Sequence, residues 1–305
     1  ETMGPWGSSA KRLAKELSKR FMEKSGDRKA GNYFYAPLTF KVVSYNVLAQ
    51  CLLEAHPYLY TACPPNALKW EYRSKIIFNQ IVNLDPDILC LQEVQIDHLE
   101  SFYKKIDQLG YSSVYKCKTG PKRDGCAIYF RKSTFTLQEH WNVSLYNALR
   151  NILNRDNIGI IVKLAAHREP NKPILVATTH LLYNPKREDV RLAQMQLGST
   201  TITHKLNLKS VYDLYCTKSG GILATTFQNR WVLVDYICYS HKSALELREV
   251  LQLPTVKQCR GLKSLPNHQF GSDHIAVGAI FDSITVVFSF YFLSPNFLDH
   301  FAHLI

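Results

Sequence analysis

The chain has 305 residues, 46% of them hydrophobic and 20% charged, which supports a sizeable core and excludes global disorder. Lys and Arg number 37 against 25 Asp and Glu, so the net charge is +12 and the pI about 9.2, a balance that favours a polyanionic partner such as nucleic acid. No apolar run of about 18 residues exists, so no membrane-spanning helix is expected. The 8 cysteines include no C-x-x-C pair, which argues against a structural zinc site. Several, Cys90 and Cys238 among them, lie in apolar runs and read as buried thiols. A reducing compartment follows, the cytoplasm with a nuclear pool as an alternative. No secretory signal is read at the opening residues, and a start at Glu1 instead of Met points to a fragment.

Residues 1–37 form a basic arm. Leu13, Leu17 and Phe21 at i, i+4 spacing predict an amphipathic helix over Ser9 to Lys24. From Leu38 the pattern alternates between strand and helix. Strands are expected at Phe40 to Leu48, Asp87 to Val94, Ser112 to Tyr115, Gly125 to Phe130, Asn157 to Leu164, Ile174 to Thr179, Arg230 to Tyr239 and Ile275 to Phe281. Helices are expected at Trp70 to Leu84, at His98 to Leu109 before the stop at Gly110, and near Lys186 to Leu197. Many strands with interspersed helices predict a mixed α/β sandwich. A run of uncharged β-prone residues, Ile284 to Leu293, opens an apolar tail over residues 283–305.

Strand-like runs deliver Asn46, Glu93, His180 and Asp235, and Gly271-Ser272-Asp273-His274 precedes the last strand. Rigid strand ends at one sheet edge suit a preorganised site. Asn and Glu are hard oxygen donors that suit Mg²⁺, a His–Asp pair supplies a general base, and a second His can bond a phosphoryl oxygen. Taken singly, Asn46 also fits a turn, Glu93 a helix cap and His180 a satisfied core histidine. Their common place at strand borders, in one order, points to metal-assisted phosphoester hydrolysis.

The order Ser44-Tyr45-Asn46, Leu91-Gln92-Glu93-Val94, Thr179-His180-Leu181, Val234-Asp235-Tyr236 and Ser272-Asp273-His274 resembles the endonuclease/exonuclease/phosphatase superfamily. Ser44 to Gln50, Thr119 to Phe130, Asn154 to Gly159 and Thr179 to Gln194 look like the Angel family, relatives of the carbon-catabolite-repressor deadenylases. The resemblance implies a four-layer α/β sandwich over residues 38–282 and Mg²⁺-dependent hydrolysis at RNA 3′ ends, with Mn²⁺ as the alternative ion. It makes Asn46 and Glu93 metal ligands, brings His180 to the scissile phosphate, and has Asp235 orient His274, with Asp273 helping to position that site. It leaves poly(A) trimming and removal of a 2′,3′-cyclic phosphate both open, and it suggests RNA and translation or mRNA-decay proteins as partners.

One family element is missing. A Gly-Asp-x-Asn strand belongs between the Thr-His-Leu and Asp-Tyr motifs, yet none of the 13 Asp residues has Asn two positions later. The expectation is an internal loss near residues 197–208, one core strand fewer, and impaired catalysis. The internal loss and the apolar tail together suggest an alternative transcript or an imperfect gene model. A non-catalytic RNA- or partner-binding relative is the competing expectation, and a membrane-surface phosphatase using the basic arm is a third. Lys186 and Arg187 fit either a phosphate contact or a solvated surface.

Overall fold

The computed structural model describes residues 21–23, 37–184, 186–196, 207–213, 221–227, 230–241 and 243–283. It divides into two compact units, Glu1–Leu89 with Asn207–Thr285, and Cys90–Leu206 with Val286–Ile305. In chain order the strands are β1 (Phe21–Glu23), β2 (Leu38–Asn46), β3 (Ile88–Gln95), β4 (Tyr111–Cys117), β5 (Asp124–Arg131), β6 (Phe135–Ser144), β7 (Ile158–Ala166) and β8 (Glu169–Thr179). They continue with β9 (Leu208–Ser210), β10 (Thr226–Phe227), β11 (Trp231–Val232), β12 (Cys238–Ser240), β13 (Leu245–Leu251) and β14 (Val277–Ser283).

In the first unit the order is β1-β13-β14-β2, antiparallel throughout. Phe40 lies opposite Phe281 in the β2–β14 register, and their rings meet at 5.9 Å. The helix α1 (Trp70–Leu84) buries Ile77, Ile81 and Leu84, a stripe at helical spacing worth about 1.5–3 kcal/mol per side chain. Two ribbons, β9–β12 and β10–β11, complete this unit's strands among the described residues.

The second unit takes in β3 from Cys90 onward. Every residue of β3 is buried, the apolar run Ile88–Leu91 and the polar Gln92, Glu93 and Gln95 alike. The order β3-β5-β4 forms one sheet portion, and β6-β7-β8 forms an antiparallel sheet of three. A helix α2 (Glu188–Gln196) follows the β8 loop.

Several expectations need correcting. The arm's helix fails at its end, where Phe21–Glu23 pair as β1 with Glu249–Leu251. An open sheet edge offers backbone partners that three residues of helix propensity cannot outweigh. The rest of that helix, the apolar tail beyond residue 283 and most of the 197–208 junction lie outside the described residues. The strand expected over Arg230 to Tyr239 breaks into β11 and β12, with 233–237 irregular. Cys238 is exposed, because Ile237 takes the inward position beside it. The helix expected over His98 to Leu109 is a 3-10 turn, a π turn and a short α-helix in succession, closed by Gly110 at φ 94°.

Candidate active site

The first unit carries Asn46, Asp235, Asp273 and His274. Asn46 ends β2 and is buried, and its side-chain oxygen accepts the Leu48 N–H at 3.0 Å. That Asx turn bends the chain off the sheet and leaves Leu48 at φ 55°, a left-handed conformation unusual for Leu. Ser272, fully buried, donates to the Asn46 carbonyl at 2.7 Å and accepts the His274 N–H at 3.1 Å. Tyr60 donates its hydroxyl proton to Asp273 Oδ2 at 3.0 Å. Thr226 donates to the Asp273 carbonyl at 2.8 Å, beside the bridge that links Thr226 and His274.

Asp235 sits in the irregular 233–237 segment, whose backbone is held by the Val234 and Asp235 N–H groups donating to the buried Thr225 hydroxyl. Its carboxylate meets His274 Nδ1 at 2.9 and 3.0 Å. An ionised carboxylate only accepts, so Nδ1 carries the proton and the other ring nitrogen, Nε2, is left to act as a base.

The second unit carries Glu93 and His180. Glu93 lies two residues before the end of β3, buried, with φ 61° in the left-handed region. A non-glycine residue there holds strain of about 1–3 kcal/mol, and such strain collects at functional positions. His180 Nε2 stands 3.7 Å from Glu93 Oε1, beyond hydrogen-bond reach. The motif neighbours fix this pair. Gln92 donates to Thr178 at 2.9 Å, tying β3 to β8 one residue from Glu93 and two from His180. Gln194 on α2 donates to Asn157 at 2.8 Å, and Asn157 donates to the His180 carbonyl at 2.7 Å. Thr119 donates to Asp156, and Gly120, at φ 64°, packs so closely that an added Cβ would lie 3.2 Å from that carboxylate. The Thr-Gly-Pro-Lys-Arg-Asp-Gly and Asn-Arg-Asp-Asn-Ile-Gly blocks are therefore docked on each other.

Lys118 adds the cation that the sequence reading passed over. Its ammonium sits 2.6 Å from Asp124, itself 1% exposed. Burial works against its charge, but the Asp124 and Glu93 carboxylates outweigh burial and hold its pKa above the usual lysine value. Arg187 is engaged by Asp189 at 2.9 Å on the exposed start of α2. The sequence reading also missed Arg73, a fully buried charge on α1. Its signal was its place four residues before Ile77 on the buried stripe.

Asn46 in the first unit and Glu93 in the second are each hard oxygen donors, the kind Mg²⁺ takes. Among the described residues no group of three or more His, Cys, Asp or Glu could hold a metal.

The model of the endonuclease/exonuclease/phosphatase family matches residues 43–274, a span that contains all six site residues. The chain belongs to that family. Within it the chain is an Angel homologue: it is 37% identical to "Protein angel" of Drosophila melanogaster over 326 residues, covering 90% of this chain and 92% of the fly protein. That matched span exceeds this chain's own 305 residues, so the fly protein carries residues with no counterpart here. "Protein angel homolog 2" of Mus musculus is 40% identical over 58% of this chain and 34% of its own length. The fold matches the crystal structure of ANGEL2, described as a 2′,3′-cyclic phosphatase, in complex with adenosine-2′,3′-vanadate. There the TM-score is 0.73 and the identity 28%, over 81% of this chain and 96% of that one. The human Nocturnin catalytic domain shares the fold at TM-score 0.59 and 23% identity, covering 92% of this chain and 99% of that one. Among the described residues no helix of this Angel homologue is long and apolar enough to cross a membrane.

Proposed function

We propose that this Angel homologue is a phosphoesterase of RNA 3′ ends, that a terminal 2′,3′-cyclic phosphate is its substrate, and that its catalysis is impaired. The observation that carries the reading is the Asp235–His274 pair at 2.9 Å. It supplies an oriented base inside a family match that contains every other site residue. The similarity to ANGEL2, described as a 2′,3′-cyclic phosphatase, favours that substrate over poly(A).

In this mechanism His274 Nε2 takes a proton from the attacking water while Asp235 fixes the ring and stabilises the cation that forms. The water oxygen bonds to phosphorus, the bond from phosphorus to one ribose oxygen breaks, and that oxygen takes up a proton from solvent while His274 returns its own, leaving a phosphomonoester and a hydroxyl. Asp273, held by Tyr60, positions the His274 segment. His180, held through Asn157 and Gln194, bonds a phosphoryl oxygen. Asn46 of the first unit and Glu93 of the second each offer an oxygen donor suited to Mg²⁺, or Mn²⁺, which when bound would offset negative charge on the phosphoryl group.

Two considerations support impairment. No Asp-x-Asn occurs in the chain, and the fly relative contains residues absent here. Losing one preorganised polar group commonly slows such reactions about 10²–10³-fold. The absent motif also favours a second reading, an RNA-binding protein without catalysis that acts through its net charge of +12. Incubating the chain with Mg²⁺ and an RNA oligonucleotide ending in a 2′,3′-cyclic phosphate decides between them. Slow phosphate opening that His274→Ala abolishes supports the first. Tight, salt-sensitive RNA binding with no opening beyond buffer supports the second.

A further inference from the structure

The Arg73 guanidinium lies in the first unit with no exposed surface, stacked 5.4 Å over the Trp70 ring. Nη1 donates to the Gly271 carbonyl at 2.7 Å and to Val47 at 3.3 Å, and Nη2 donates to the Leu48 carbonyl at 2.8 Å. Nη2 and Nε reach Gln50 Oε1 at 3.0 and 3.3 Å, and Gln50 in turn donates to Glu54 at 3.0 Å. One rigid fork thus holds two separate segments. The first is the turn that leaves β2 immediately after Asn46, including Leu48 with its left-handed backbone. The second is the Gly271 start of the Gly-Ser-Asp-His segment.

The fit leaves no slack. A Cβ on Gly271 would meet the Arg73 carbonyl and Ile77 Cγ1, each at 2.7 Å, so the helix backbone rests directly on that glycine. Ser272 continues the link by donating to the Asn46 carbonyl. A buried cation is expensive unless it is well hydrogen-bonded, and apolar side chains could hold a helix against two loops without it. A planar five-donor fork does what they cannot, because it fixes carbonyl directions as well as distance.

We infer that Arg73 is a positioning residue, which sets the Asn46 turn and the Asp235–His274 pair in one geometry by clamping the Val47, Leu48 and Gly271 carbonyls. The inference deepens the proposed phosphoesterase reading and rests on it for its use in catalysis. The clamp itself is readable without turnover.

The test uses the full chain and follows the hydrogen-bonded Nδ1 proton of His274 by NMR, assigned through His274→Gln. Arg73→Ala opens a guanidinium-sized space, Arg73→Lys keeps the charge without the fork, and Ile81→Ala disturbs the buried stripe of the same helix two turns on, away from the Gly271 contact. The expected result is a His274 proton that exchanges at least about tenfold faster in both Arg73 variants and is unchanged in folded Ile81→Ala. Millimolar guanidinium should restore protection in Arg73→Ala, whereas methylammonium at equal ionic strength should not. Should the Arg73 variants fail to fold, Gln50→Met withdraws one acceptor from the intact arginine and should speed exchange by a smaller factor. Unchanged exchange in a folded Arg73 variant, or in Gln50→Met when that alone folds, overturns the clamp. So does equal loss in Ile81→Ala, or an absence of guanidinium rescue. Loss of protection together with absent cyclic-phosphate hydrolysis by the unmodified chain would retain the clamp and reject the phosphoesterase reading.

Discussion

The two units hold their site residues by different means. In the first, a buried cation gathers carbonyls beneath the Asn46 turn and the Gly271 segment, and a charged Asp235–His274 pair stands on that frame. In the second, neutral amides hold His180, with Gln92 on Thr178 and Gln194 on Asn157 on the His180 carbonyl, while the Lys118–Asp124 ion pair stands apart from that chain of bonds. Buried charge makes the first arrangement directional and unforgiving, because losing the cation strands several oriented carbonyls at once. Amide links are individually weaker, so the second arrangement should fail gradually.

The comparison is broken most sharply at the charged pair. Asp235→Asn should lower whatever cyclic-phosphate hydrolysis the chain retains by about 10²-fold or more, with RNA affinity unaltered, as initial rates and fluorescence anisotropy would report. Equal rates for the two proteins would remove Asp235 from the mechanism. Next in size, Arg73→Met should reduce unfolding stability by about 2–5 kcal/mol in urea, since a side chain of similar reach fills the space but donates nothing. In the second unit Asn157→Ala should cost about 1–3 kcal/mol. Combining it with Gln194→Ala should add less than the two separate losses, because the substitutions break one chain of bonds. Full additivity would deny the relay.

The smallest expected effect concerns thiols. Burial pushes Cys90 and Cys126 of the second unit up to about 12. Both should resist iodoacetamide at pH 8 in the folded protein, as peptide mass mapping would show. Since the folded thiols hold their protons longer than the unfolded ones, their contribution to stability is intact below about pH 9 and declines as pH rises toward 12. Labelling of either at pH 8 without unfolding would mean that this unit opens far more readily than its packing indicates.

Much of this was legible in the residues, and the reasons differ by element. The β3 run showed itself by unbroken apolar character, and α1 by a stripe at helical spacing whose expected ends, Trp70 and Leu84, are the observed ones. Strands β6 and β13 were not foreseen. A register shift between Leu137 and Glu139, and another between Leu247 and Glu249, interrupt the alternation that marks a strand. Site residues were readable as types at strand borders, and of their supports only Arg73 left a signal, its place on the buried stripe of α1. Gln194 and Asn157 act through side-chain amides and a backbone carbonyl, which leave no charge pattern in a sequence. Glu93 could be nominated as a ligand, whereas its left-handed backbone could not.

The central proposal is that a chain with these site residues but no Asp-x-Asn is an impaired phosphoesterase. The most direct test inserts a Gly-Asp-x-Asn segment at the 197–208 junction and compares both proteins on the cyclic-phosphate oligonucleotide with Mg²⁺. A gain of about 10²-fold or more in kcat, abolished by His274→Ala, is the predicted result. A folded graft no faster than the original chain, or a gain that survives His274→Ala, would contradict it.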